Sequence, residues 1–228
     1  MSNFSSRYEY GDPASRRLLI QPVDPRDLAG MEREAAAIAA LAGPDFRLIA
    51  VKIEDWNRDL SPWAAPPVFG KEGFGGGAEE TLAELLPLCA EKDKRCYIGG
   101  YSLAGLFALW AACRTDAFAG AAAASPSVWF PGFTDYVKAQ GLRCGRVYLS
   151  LGDREEKTRN PVMAAVGDRI RELESYYTGP LWKEDFAADE AGELPEGLKR
   201  GVLSEDGVYN LLDRCREIGR RLAGGEKA

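Results

Sequence analysis

Cys96-Tyr97-Ile98-Gly99-Gly100-Tyr101-Ser102-Leu103-Ala104-Gly105, running on into Leu106-Phe107-Ala108-Leu109-Trp110-Ala111-Ala112, is the stretch on which the fold turns. Its first three residues read as a short buried strand closed by Gly99 and Gly100, and 103–112 read as an apolar helix. Ser102 sits between them, with Gly100 two places before it and Ala104 two places after. A strand-to-helix turn tight enough to lift a serine hydroxyl above a sheet has no room for larger side chains at those two places. The spacing predicts a nucleophile elbow with Ser102 as the catalytic nucleophile. Its alternative is an ordinary tight turn, and Ala104 stands where glycine is commoner in such motifs.

Outward from the elbow, strand-like and helix-like segments alternate. Leu18-Leu19-Ile20-Gln21 reads as a strand stopped by Pro22, and Leu28, Met31, Ala35, Ile38 and Leu41 recur at helical spacing over 27–41. RLIAVKI over 47–53 is a second strand, followed by a loop rich in Trp, Pro and Gly over 54–77. A helix follows over 78–90. Beyond the elbow come strands at 118–124 and 146–151, with a weaker helical link at 136–140. This order predicts an α/β protein with a mostly parallel sheet and helices on both faces. From about residue 168 the pattern changes to helix at 170–177, an acidic irregular stretch at 178–195, and a last amphipathic helix opened by Ser204.

Composition narrows the function classes. The 228 residues hold 29 Lys and Arg against 35 Asp and Glu, a net charge of −6, which disfavours a phosphate-binding surface and nucleic acid as a partner. No apolar run approaches the roughly 20 residues of a membrane span, and residues 1–10 have no signal-peptide centre. A soluble cytoplasmic protein without a membrane partner is expected. The five cysteines, Cys89, Cys96, Cys113, Cys144 and Cys215, are scattered and never spaced C-x-x-C, so reduced core thiols are expected, with no metal and no cofactor. The acidic run over 184–193 reads as a hydrated linker before it reads as a metal site.

Around Ser102 the same chemistry selects further candidates. The Leu103 backbone N–H, at the helix start, would face a developing oxyanion. A second donor is expected after the first strand of the series, where Pro22 has no N–H, so Val23 or Asp24 supplies it. Asp153, directly beyond the 146–151 strand, is the candidate triad acid, its alternative being a solvated turn aspartate. Trp56, Trp63 and Trp129 lie on loops leaving strand ends and are candidates for a substrate pocket or for structural packing.

LLIQPVD, KIEDWNRDLSPW, GGYSLAGLFALWAA, ASPSVWFPGF and LSLGDREEKTRNPVMAAVGD, in that order over about 8–168, resemble bacterial α/β-hydrolases of the putative esterase group, related to the siderophore esterases. The resemblance implies a hydrolase sheet with Ser102 as nucleophile and supports Asp153 as acid. In that family a histidine follows one more strand near the C-terminus, and this chain contains no histidine at all. From about Arg169 to Leu222 the sequence instead resembles a small bacterial helical domain family of unknown function, carried by LKRGVLSEDG. The implied organisation is an α/β-hydrolase-like unit over 1–168, with its last strand and histidine loop replaced by a helical C-terminal segment over 169–228.

A serine hydroxyl is a poor nucleophile near neutral pH without a base. A second copy of the same sequence has no imidazole to lend. Lys52 and Lys157 flank site loops and are the substitute bases the sequence offers. Two expectations stand: a serine hydrolase of small carboxylic esters, weak for want of histidine, or a non-catalytic descendant whose pocket binds a small-molecule ligand or a partner. The residues say nothing of oligomeric state.

Overall fold

A computed structural model describes residues 6–178 except Lys92 and Asp153. In chain order the elements are β1 (Arg7–Gly11), β2 (Arg17–Val23), α1 (Pro25–Leu28), α2 (Met31–Ala42), β3 (Arg47–Lys52), α3 (Trp56–Asp59), β4 (Ala64–Ala65), β5 (Phe74–Gly75) and α4 (Ala78–Leu85). There follow β6 (Arg95–Tyr101), α5 (Leu103–Arg114), β7 (Phe118–Ala124), α6 (Phe133–Gln140), β8 (Val147–Ser150), α7 (Pro161–Ala164) and α8 (Val166–Thr178). The last helix predicted from sequence, opened by Ser204, and the acidic run lie outside the described residues.

Six strands form one sheet in the order β1-β3-β2-β6-β7-β8, with β1 antiparallel to β3 and every other pair parallel. The chain builds outward from β2 to β3 on one side, then returns to place β6 on the other. That reversal between β2 and β6 is the switch point at which open parallel sheets form their binding crevices. The two strands pair only from Arg17 and Arg95 to Ile20 and Ile98, so they part before their exits.

Strand periodicity sorts the core onto both faces. Ile49 and Val51 of β3 join Leu18, Ile20 and Ile98 in the larger cluster with α4 and α5, while Leu48 and Ala50 face the other way onto Met31 and Ala35 of α2. Helix α5 is buried from Leu103 to Cys113, so it carries no polar stripe and must lie under other elements.

Several expectations change in detail. The predicted single helix over 27–41 is two: Asp24 caps α1 by accepting from the N–H groups of Arg26 and Asp27, both at 2.7 Å, and the chain breaks at Gly30 before α2. Strand β6 is not closed by its glycines but runs on to Tyr101, pairing Gly99 with Ala122 and Gly100 with Ala123. A Cβ at Gly99 would stand 3.2 Å from the Ala122 carbonyl oxygen, so glycine there answers a close approach between strands. Helix α6 starts at Phe133, ahead of the predicted link.

The 54–77 loop is pinned throughout. Asp55 caps α3, the Ser61 hydroxyl donates to the Asn57 carbonyl (2.7 Å) and accepts from the Gly76 N–H (2.8 Å), and Thr81 donates to the Asp59 carbonyl (2.6 Å). At the far end of the sheet, Asn160 caps α7 and its side-chain amide donates to the Val68 carbonyl at 2.7 Å, which joins this loop to the segment after β8.

Candidate active site

Ser102 is the hinge between β6 and α5. Its φ of 57° and ψ of −118° lie where a residue with a Cβ is strained, and the surrounding bonds hold it there. Its N–H donates to the Ala124 carbonyl of the neighbouring strand (3.0 Å), and its own carbonyl accepts from Leu106 in α5 (3.1 Å) and from Ser127 (3.0 Å). The hydroxyl makes no capping bond to α5 and meets the Ser127 hydroxyl at 3.2 Å. The turn closes only because its flanks are small. A Cβ at Gly100 would lie 2.5 Å from that of Ala104, and one at Gly105 would lie 3.0 Å from the Gly100 carbonyl oxygen.

Strain at Ser102 has a measurable consequence. Ser102→Gly should relieve about 1–3 kcal/mol of backbone strain, offset by the roughly 0.5–1 kcal/mol that glycine adds to chain entropy. A net gain near 1 kcal/mol should raise the thermal midpoint by about 2–4 °C, read by calorimetry. A lower midpoint for this variant would contradict the strained geometry.

The hydroxyl opens into a cavity of about 420 Å³, a size that suits a small organic ligand. One side carries the hydroxyls of Ser102, Ser125 and Ser127 together with Gly152. Trp129, Met163 and Val166 add apolar surface, and Arg154, Glu155 and Thr158 bring polar groups from the segment after β8. Ser125, at φ 41°, and Ser102 are the only non-glycine residues with positive φ among the described residues, and both line this cavity. Ser125 donates its N–H to the Ser150 carbonyl (2.8 Å), and its hydroxyl accepts from the Gly152 N–H (3.1 Å). The Ser125-Pro126-Ser127 turn thus ties the Ser102 hinge to the exit of β8. At the rim the Tyr101 hydroxyl donates to Glu155 at 3.2 Å, and burial together with that carboxylate's charge raises the phenol above its ordinary range.

Of the residues predicted from sequence, the structure brings Ser102 and Trp129 into the same cavity. Leu103 is the first residue of α5, so its N–H is one of the amides that a helix start leaves without an internal partner. Val23 ends β2, fully buried, with its carbonyl accepting from the Ile53 N–H at 3.0 Å. Trp63 packs away from the cavity against Phe130 and Tyr136 and donates its indole N–H to the Pro131 carbonyl at 3.1 Å. Trp56, at the start of α3, packs on the core. Asp153 lies outside the described residues, while its neighbours Gly152 and Arg154 line the cavity. Lys52 pairs with Glu54 at 2.9 Å, and Lys157 is exposed; neither lines the cavity.

Ser125, Ser127, Met163 and Val166 were not singled out from sequence. The signal for the two serines was their place directly after a strand of the series, where loops of a parallel sheet converge.

Among the described residues no three His, Cys, Asp or Glu side chains gather in a way that could hold a metal ion, and no helix is long and apolar enough to cross a membrane. Cys113 and Cys144 are free and buried, and burial pushes their thiols up to about 12 and about 11, far from a reactive thiolate.

Comparison with solved structures bears on this architecture. The siderophore hydrolase EstB from Aspergillus nidulans superposes with a TM-score of 0.53 at 19% identity, over 75% of this chain and 74% of that one. An uncharacterised protein from Capnocytophaga ochracea gives 0.52 at 15% identity, over 76% of this chain and 50% of the other. These superpositions agree with the mostly parallel, helix-covered sheet described above. The chain has the α/β-hydrolase fold. Siderophore hydrolase EstA from Aspergillus nidulans is also similar, at 23% identity and a TM-score of 0.47, over 81% of this chain and 75% of that one. No curated protein matches the chain. Residues 161–222 match a family described as a domain of unknown function, DUF4298. That match begins at 161, ahead of the expected start near 169. It therefore takes in α7 and α8, of which α8 packs on α6 and adds Val166 and Leu173 to the main core, and with them Met163 and Val166 of the Ser102 cavity.

Proposed function

We propose that this chain is a serine hydrolase-type protein acting on small carboxylic esters through Ser102, slow because it has no histidine. The observation that carries the reading is the strained serine between β6 and α5, its hydroxyl open to a cavity at the carboxyl ends of parallel strands. Ser102 is the nucleophile, and the turn at Gly100 to Ala104 is a nucleophile elbow. The Leu103 N–H, with a second donor from Val23 or Asp24, holds the oxyanion, and Asp153 takes the place of the triad acid. Trp129 contacts substrate, while Trp56 and Trp63 hold the loop over the core. Structures of like fold that are named siderophore hydrolases support an ester-hydrolase ancestry. In this reading a hydrolase-like unit over 1–168 has exchanged its last strand and histidine loop for the segment over 169–228, and reduced thiols suit a cytoplasmic setting.

The reaction runs in two steps. Ser102 Oγ bonds to the acyl carbon and loses its proton to solvent, and the ester C–O bond breaks as the alcohol departs with a proton from water. Hydrolysis of the acyl-serine then restores the hydroxyl. Without a triad base, binding and the oxyanion donors should leave a rate about 10³–10⁴-fold above the uncatalysed reaction. Release of p-nitrophenol from its butyrate ester tests this. The parent should show that acceleration and, by peptide mapping of acid-quenched samples, carry a butyryl group on Ser102 that Ser102→Ala cannot form; equal rates in the two proteins with no acyl group on Ser102 of the parent would end the proposal.

A composition with no histidine favours a second reading, a non-catalytic ligand-binding descendant. It predicts a raised thermal midpoint with acyl compounds while no ester is turned over.

A further inference from the structure

Helices α7 and α8 stand where the DUF4298 match begins, yet they belong to the same cavity as Ser102. Met163 lies in α7, its N–H bonded to the Asn160 carboxamide oxygen at 3.3 Å, and Val166 opens α8, only 4% exposed. Both are held in place. Asn160 anchors α7 to the Val68 carbonyl, Lys138 of α6 pairs with Glu172 of α8, and Arg171 of α8 pairs with Glu156 at 2.7 Å. With Trp129 they form the apolar part of a cavity that is otherwise polar, with serine hydroxyls and charged groups. An acyl ester has the same division: a reacting carbonyl that needs hydrogen-bond donors and a hydrocarbon tail that needs apolar surface.

We propose that Met163 and Val166, with Trp129, form the acyl-chain wall of the Ser102 pocket and set the length of acyl group it accepts. This inference rests on the serine hydrolase reading. It assigns the front of the DUF4298-matching region, residues 161–222, a role in the pocket, so that this region shapes the site rather than merely following it. Met163 is the natural length gauge, because its unbranched thioether is half-buried and can be shortened or enlarged without cutting into the main core.

The test uses ethyl, butyl and octyl fluorophosphonates, each of which forms an Oγ–P bond on the serine as the P–F bond breaks, with fluoride and the hydroxyl proton leaving to solvent. Labelling rates at Ser102 are compared by intact mass and peptide mapping. Met163→Ala should raise the octyl-to-ethyl rate ratio about tenfold, and Met163→Trp should lower it about tenfold, the discrimination expected for small changes in a hydrophobic pocket. Ratios equal to the parent's in both variants, with Ser102 still labelled, would overturn this inference alone. No labelling of the parent by any probe would overturn the hydrolase reading and this inference with it.

Discussion

The rate of p-nitrophenyl butyrate cleavage through Ser102 should climb about tenfold for each pH unit from 6 to 9, with no plateau, because hydroxide must do the work of the absent base. An imidazole near its usual pKa of about 6.5 would deliver a curve that flattens above neutrality. A carboxylate acting as base would leave the rate nearly flat across the whole range, since such groups are ionised well below pH 6. This chain contains no histidine, and its buried thiols at Cys113 and Cys144 are pushed up rather than down. The change from pH 6 to 9 should therefore approach 10³-fold after subtraction of the Ser102→Ala background. A plateau near pH 7 would show that another side chain serves as base and would overturn this account of the chemistry.

Gly100→Val should be the most damaging single change in the region. A Cβ at that position would lie 2.5 Å from the Ala104 Cβ and 2.8 Å from the Ala104 carbonyl carbon, so the obstacle includes backbone of a buried helix rather than a movable side-chain end. Helix α5 cannot retreat, since its residues from Leu103 to Cys113 are buried against the sheet and the overlying elements. Overpacking of this kind costs about 3 kcal/mol or more, because neither the strand nor the helix has an alternative position. For a chain of this size the thermal midpoint should fall by roughly 6–12 °C. A midpoint within two or three degrees of the parent, a margin of about 1 kcal/mol, would mean that the turn is looser than the geometry described.

Much of the fold was legible because parallel strands buried on both faces read as unbroken apolar runs, as in RLIAVK of β3 and FAGAAAA of β7. Strand β1 was not. Its RYEYG is polar and mostly exposed, and its pairing with β3 rests on backbone bonds and the Arg47–Glu9 ion pair at 2.9 Å, neither of which leaves an apolar pattern. The break before α2 was hidden because Leu28 and Met31 keep helical spacing across Gly30. At the site, Ser102 was readable from purely local demands, the small residues at 100 and 104. Ser127 was not, since it meets Ser102 only through the pairing of β6 with β7 that sets Tyr101 beside Ala124. Met163 and Val166 are hidden for the same reason, being brought over the cavity by α7 and α8 from some 60 residues further along the chain.

Covalent capture is the most direct measurement. After incubation with a butyl fluorophosphonate at pH 9, peptide mapping of the protein should place one phosphonyl adduct on Ser102, absent from Ser102→Ala and slower to form when an acyl compound occupies the cavity. An adduct spread over Ser125, Ser127 and surface hydroxyls with no preference for Ser102, or none at all, would contradict the claim that the hinge presents a nucleophilic oxygen to a binding site.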